Sequence, residues 1–211
     1  MKHGDAEAAR RRARRQRIAG EAARLMATQG LQDSGEAARR AARLLGEDGS
    51  RDLPGHAEVL AQLLDYQRLF QRDSQPAALR ARREAALEAL QFLAAFQPLL
   101  YGPVLEGSAD ERSAVQLQVF AEDPDAFARF MHEQRWPQRL QSATRRLRVR
   151  RDRHQDFSGW RFAADGIDFE VVALPPALQR QPPLDPDGRP MARAGLAALR
   201  ALLDQREASG T

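Results

Sequence analysis

The 211-residue chain contains no cysteine. That excludes a disulfide framework, a thiolate zinc site and a cysteine nucleophile, and it suits a reducing cytoplasm. Nowhere does the sequence approach the roughly 18 consecutive apolar residues of a membrane-spanning helix. The basic N-terminus also lacks the apolar segment and small-residue cleavage site of a secretory signal. The expectation is a cytoplasmic protein without a membrane span. Lys2 is the sole lysine, and with neither a G-x-x-x-x-G-K-[ST] nor a G-x-G-x-x-G stretch a P-loop kinase or ligase is excluded. His3, His56, His132 and His154 have no zinc-ligand spacing, and no serine sits in a nucleophile-elbow setting.

Positive charge is present but uneven. Residues 1–20 hold Lys2 and Arg10, Arg11, Arg12, Arg14, Arg15 and Arg17 against Asp5 and Glu7, or +5, so the other residues must sum to −1 to give the net +4. Two readings follow: a solvated, frayed terminus, or an arm for nucleic acid, another polyphosphate or an acidic protein. A second cluster lies between residues 135 and 153. There Arg135, Arg139, Arg145, Arg146, Arg148, Arg150, Arg151 and Arg153 stand against Asp152 alone. With Trp136 and Trp160 nearby, such a face could follow a phosphate backbone while a ring stacks on a base; equally, it could be an edge strand guarded by its charges.

The apolar pattern predicts helices first. Ile18, Ala22, Leu25 and Met26 recur at helical spacing before Gly30, and this helix can extend back into the arginine run. Ser34 can cap a second helix carrying Ala38, Ala41, Leu44 and Leu45, ended by Gly46. After the Leu53-Pro54-Gly55 break, Val59, Leu60, Leu63, Leu64 and Phe70 mark the inward face of a third. Ser74 and Pro76 open a fourth, with Leu79, Leu87, Leu90, Leu93 and Phe96. The third helix is a poor reader of DNA bases, because Glu58 and Asp65 outnumber Arg68.

From residue 100 the period changes. Segments 100–106 and 114–121 have strand length, and Pro124-Asp125 opens a helix through Phe127, Phe130 and Met131. Arg146, Arg148 and Arg150 alternate with Leu147 and Val149, which gives one cationic and one apolar strand face. Trp160 and Phe162 belong to another strand. Asp165-Gly166 signals a hairpin into Ile167, Phe169 and Val171. A proline-rich loop, 175–190, leads to a last helix through Leu196, Leu199 and Leu203.

Between residues 100 and 121 the sequence reads as a strand, a Gly107-Ser108 turn, a polar loop and a second strand starting near Ser113. A Gly-Ser turn leaves backbone N–H groups available to phosphate oxygens, and carboxylates one residue apart share a strand face where they can hold two Mg²⁺ ions. Residues 85–175 thereby resemble the nucleotidyltransferase fold of the DNA polymerase β type. The whole chain also resembles a group of small, poorly characterised bacterial proteins of that fold.

Charge, period and turn chemistry predict an α+β protein with a basic arm (1–17), a helical module (18–75) and a small mixed-sheet domain (76–211), which the resemblance makes nucleotidyltransferase-like. The resemblance implies phosphate contacts at Gly107 and Ser108 and a third metal carboxylate at Asp168 or Glu170. Where the family has Ser-Asp-hydrophobic-Asp, this chain has Ser113-Ala114-Val115-Gln116. Alanine cannot ligate, and glutamine offers Mg²⁺ only a neutral carbonyl. Asp110 and Glu111 are the nearest other carboxylates. The expectation is a largely non-catalytic member, with no metal or cofactor assigned unless residual activity calls for Mg²⁺ and a nucleoside triphosphate. It would bind nucleotide or RNA phosphates through Arg10, Arg11, Arg12, Arg14, Arg15, Arg146, Arg148 and Arg150. The alternatives are a protein-interaction adaptor with no nucleic-acid role, docking through its helical half, and an active but atypical transferase; the partner is RNA or an acidic protein.

Overall fold

The computed structural model describes residues 2–47, 52–134 and 139–208. It is α+β and divides into two compact units, Met1–Asp73 and Ser74–Thr211. Arg135 and Trp136, named above as contributors to the second basic cluster, lie outside the described residues.

The first unit contains α1 (Lys2–Gln29), α2 (Ser34–Leu44) and α3 (His56–Phe70). Its core is made largely of small side chains: Ile18, Ala19, Ala22 and Leu25 of α1 meet Ala37, Ala38, Ala41 and Ala42 of α2 and Val59 of α3. Alanine at helical spacing lets the helix axes approach closely while keeping high helix propensity. Asp33, not Ser34, is the N-cap of α2, its carboxylate accepting from Glu36 N at 2.6 Å. An extended-backbone carboxylate suits that position. Ser34 instead lies buried in the first turn, its hydroxyl 2.9 Å from His56 Nδ1. Glu58 reaches back to the N–H of Gly55 at 2.8 Å and so closes the start of α3.

Four expected core residues are exposed instead: Leu44, Leu45, Leu64 and, at 70%, Phe70. The buried stripe of α2 runs through Ala37, Ala38, Ala41 and Ala42 and ends before Leu44. That of α3 runs through Val59, Leu63 and Gln67. Leu64 is one residue off this stripe, and Phe70 occupies the last turn, where its ring lies 4.7 Å from that of Tyr66.

The second unit comprises α4 (Gln75–Phe92), a short 3₁₀ turn, β1 (Leu99–Tyr101), α5 (Pro103–Glu106), β2 (Val115–Phe120), α6 (Asp125–Glu133), β3 (Gln141–Arg150), β4 (Arg153–Ala164), β5 (Ile167–Leu174), α7 (Ala177–Arg180) and α8 (Leu196–Ala208). The five strands form one mixed sheet in the order β1-β2-β5-β4-β3, antiparallel throughout except for the parallel β2–β5 pair. Asp165 and Gly166 both have positive φ, 49° and 77°, as a two-residue type I′ hairpin requires.

Strand alternation gives the sheet two different faces. Val115, Leu117 and Val119, with Trp160, Phe162, Phe169 and Val171, pack under Leu79, Leu90 and Leu93 of α4, Phe127 and Met131 of α6 and Leu199 of α8. Trp160 is thus core, 4.8 Å from the Phe127 ring. On the opposite face Tyr101, Phe120, Leu147, Phe157, Val172 and Leu174 are joined by Leu178 and Met191 from the proline-rich segment. Arg193 clamps this strap by donating to Gln118 Oε1 and to the carbonyls of Leu178 and Gln179. Burial lowers its pKa from the usual arginine value.

Candidate functional site

The region of resemblance has a different local geometry from the one expected. β1 ends at Tyr101, and the turn that leaves it is Gly102-Pro103, not Gly107-Ser108. Gly102 has φ 72°, which a β-carbon disfavours, and Pro103 is pre-set for the first turn of a helix. Residues 103–106 are therefore helical where a strand was expected. Gly107 closes α5 in the left-handed conformation. The N–H groups of Gly107, Ser108 and Ala109 all donate to the Pro103 carbonyl, at 2.9, 3.0 and 3.1 Å. Ser108 is buried. In this conformation the three amides already have an acceptor.

The following loop is fastened to α4. Gln75 Nε2 donates to the carbonyls of Gly107 and Ala109. Arg82, almost fully buried, donates to the carbonyls of Ser113 at 2.7 Å, Ala78 at 3.2 Å and Glu111. Arg83, also buried, donates to the Val104 carbonyl. Desolvation lowers the Arg82 pKa, opposed by the charges of Asp110, Glu111 and Asp168. Asp110 accepts from the Arg112 N–H and the Ser113 hydroxyl, at 3.0 and 2.9 Å. Its carboxylate thus orders the loop, and the Glu111 side chain is exposed.

The structure does bring Gln116 and Glu170 together. They are register partners on the parallel pair β2–β5, and Gln116 Nε2 donates to Glu170 Oε2 at 3.3 Å. Two arginines complete the group. Arg161 on β4, the register partner of Glu170, lies 2.9 Å from its Oε1, and Arg145 on β3 lies 3.4 Å from Oε2. Between them is Gly159, where a β-carbon would stand 2.9 Å from the Val171 carbonyl. Tyr101 lies buried beside Arg145 and Glu170, and burial raises its pKa above the usual tyrosine range. A β-carbon on Gly102 would overlap Gln116 Oε1. Asp168 shares the face of Glu170 two residues earlier and is exposed. Ala114 immediately precedes β2.

This donor set does not fit a two-metal centre. Ala114 has no ligand atom, Gln116 is neutral and faces Glu170 with its amide, and Glu170 is already paired with two guanidinium groups. Among the described residues there is no group of three or more His, Cys, Asp or Glu side chains that could hold a metal ion.

The two arginine clusters differ in their surroundings. In α1, Arg11 pairs with Glu7 and approaches Asp52, Arg14 and Arg17 both reach Glu47, and Arg15 grips Glu58. Arg10 and Arg12 are exposed. The N-terminal run belongs to α1, and Arg11, Arg14, Arg15 and Arg17 of it are held by carboxylates of their own unit. On β3, Arg148 is tied to the carbonyls of Arg151 and Pro186, whereas Arg146 and Arg150 are exposed. The expected cationic face thus keeps two projecting arginines.

Sequence reasoning missed Gly102, Tyr101 and Arg161, and it placed Arg145 in a cluster read as a phosphate-following face or a charged edge strand, not as a partner of Glu170. The Tyr101-Gly102-Pro103 step and the alternation of Arg161 with Trp160 and Phe162 were the available signals. Among the described residues no helix is long and apolar enough to cross a membrane. Compared with known protein families, characterised proteins and solved structures, the chain matches none.

Proposed function

We propose that the second unit is a nucleotidyltransferase-like domain without a working metal site, which binds nucleotide or RNA through phosphates and does not transfer nucleotides. The observation that carries this reading is the Gln116–Glu170–Arg145–Arg161 group. It occupies neighbouring β2 and β5 positions where the resemblance calls for metal-binding carboxylates, and its positive charge comes from arginine. Arginine is a fixed cation with a forked donor set that suits phosphate oxygens. It cannot polarise a bound water or align an attacking oxygen as paired metals do.

Arg146 and Arg150 on the exposed side of β3 extend the cationic surface, and phosphate contacts of this kind give affinity with little sequence preference. The first test is to incubate the full chain with labelled nucleoside triphosphates, Mg²⁺ or Mn²⁺, and RNA or protein acceptors. Transfer that disappears on Asp168→Asn or Glu170→Gln overturns the non-catalytic reading. The second test is salt dependence on single-stranded RNA. Each phosphate-neutralising arginine contributes about 0.7 to the slope of log affinity against log salt. Because Arg148 is held by carbonyls, replacing Arg146 and Arg150 flattens the slope by about 1.4, and adding Arg148→Gln changes it little further. A slope unmoved by these replacements removes the hairpin from the reading.

A further inference from the structure

β3 is an edge strand, and its exposed edge is only partly closed. Among the described residues the strap's backbone bonds to the strand's backbone at one point, Leu184 N–H to the Arg148 carbonyl, as an isolated antiparallel bridge, with the Arg148 side chain reaching the Pro186 carbonyl beside it. The bulge against β4 falls between Arg148 and Arg150. Both protective features therefore act at the far end of the strand. Backbone N–H and C=O groups alternate sides along a strand. Since the Arg148 carbonyl faces the strap, the backbone groups of Arg146, Thr144 and Ser142 face the same way, away from β4. Among the described residues none of the three has a backbone partner on that side, and all three side chains are exposed. The open stretch, 141–147, is free of proline and glycine. It is a template for one more strand.

The charge around it selects the occupant. Residues 139–148 include Arg139, Arg145, Arg146 and Arg148 and no carboxylate. Across the hairpin Asp156 is the register partner of Arg146, and Arg145, on the other face of the strand, is engaged by Glu170 at 3.4 Å. A second copy of β3 would place two arginine-bearing strands about 5 Å apart on one seam, an arrangement that repels. An acidic segment is attracted instead. We propose that the open edge of β3 binds an extended acidic peptide of another protein by strand addition, with Ser142, Thr144 and Arg146 supplying the main-chain hydrogen bonds and Arg139 and Arg146 the charge selection. This interaction is separate from phosphate binding, because it needs the backbone of the strand.

Proline at position 144 separates the two. The Thr144 N–H points outward, so its loss costs the sheet no ladder bond but blocks an added strand. The experiment uses the full chain, fluorescence anisotropy and three labelled probes: an alternating valine–glutamate octapeptide, an alternating valine–lysine octapeptide and a single-stranded RNA. The valine–glutamate peptide binds and the valine–lysine peptide does not. Thr144→Pro weakens the acidic peptide by at least about tenfold and leaves RNA affinity and the melting temperature unchanged. Arg146→Glu, which keeps the edge intact, weakens the acidic peptide as well. Equal binding of the acidic peptide by the parent and a folded Thr144→Pro protein overturns the proposal. So does a preference for the lysine peptide, or a dimer in sedimentation that Thr144→Pro dissolves, which would make the occupant a second copy. If Thr144→Pro unfolds the protein, Arg146→Glu decides alone: an unchanged acidic-peptide affinity overturns the proposal. Loss of RNA binding alone leaves it standing.

Discussion

The helical unit and the sheet unit use the same two residue types in opposite ways. In residues 1–73 alanine fills the core and arginine stays at the surface, paired with Glu47 and Asp52 of the α2–α3 connection and with Glu58 of α3. In residues 74–211 the core is built from Leu, Val, Phe and Trp, and arginine moves inward, where Arg82, Arg83 and Arg193 bind main-chain carbonyls. Helices satisfy their own backbone, so the first unit has few carbonyls for a guanidinium to serve. The second has long irregular connections whose carbonyls need donors when covered. Arginine is therefore replaceable in one unit and structural in the other.

That contrast can be broken by substitution. The largest effect is expected for Arg82→Leu, which strips donors from the covered carbonyls of Ser113 and Glu111. It should destabilise the sheet unit by about 3 kcal/mol. Both tryptophans fall in residues 74–211, so a urea titration followed by tryptophan fluorescence reads this unit. An unchanged midpoint would show that the buried arginine is dispensable.

Ala41→Leu is next. Ala41 is fully buried between helices, and added methylenes in a filled interface cost about 1–3 kcal/mol. The loss should appear in far-UV dichroism with the tryptophan transition unmoved; a stabilised protein would mean that the alanine seam is underpacked.

Gly102→Ala combines a disfavoured φ with overlap on Gln116 and should cost about 1–2 kcal/mol. Adding Gln116→Ala should recover the overlap part but not the φ part. A double-mutant cycle in denaturant measures the difference, and strict additivity would show that the two residues do not interact.

The smallest effect is expected for Arg15→Gln, which removes an exposed pair with Glu58 and should cost no more than about 1 kcal/mol at low salt, fading as salt rises. A loss comparable to that of Arg82→Leu would erase the distinction between the units.

Helix and strand were legible wherever one face of an element meets a core. The stripes at Ile18, Ala22 and Leu25, at Leu79, Leu90 and Leu93, and at Phe169 and Val171 are buried as their periods require. The Asp165-Gly166 turn could be read because only a few residue types tolerate its dihedral angles. Apolar residues at element ends misled, since Leu44, Leu45 and Phe70 fit a period but are exposed. In the candidate site, Glu170 and Gln116 were identifiable individually through the resemblance, but their pairing and the two arginines were not.

The sequence by itself determined the local conformations: alanine-rich helices, alternating strands, a type I′ hairpin and a proline-initiated turn are consequences of side-chain size and backbone freedom within a few residues. It also determined that positions 114 and 116, just before and within β2, carry no carboxylate. Only the tertiary structure decided which charges meet. The parallel β2–β5 pairing puts Gln116 beside Glu170, and the β5-β4-β3 order carries Arg161 and Arg145 to the same carboxylate from residues 9 and 25 positions earlier. Attraction between ions depends on distance through space and on what water is displaced, and neither quantity is written in the order of residues along the chain.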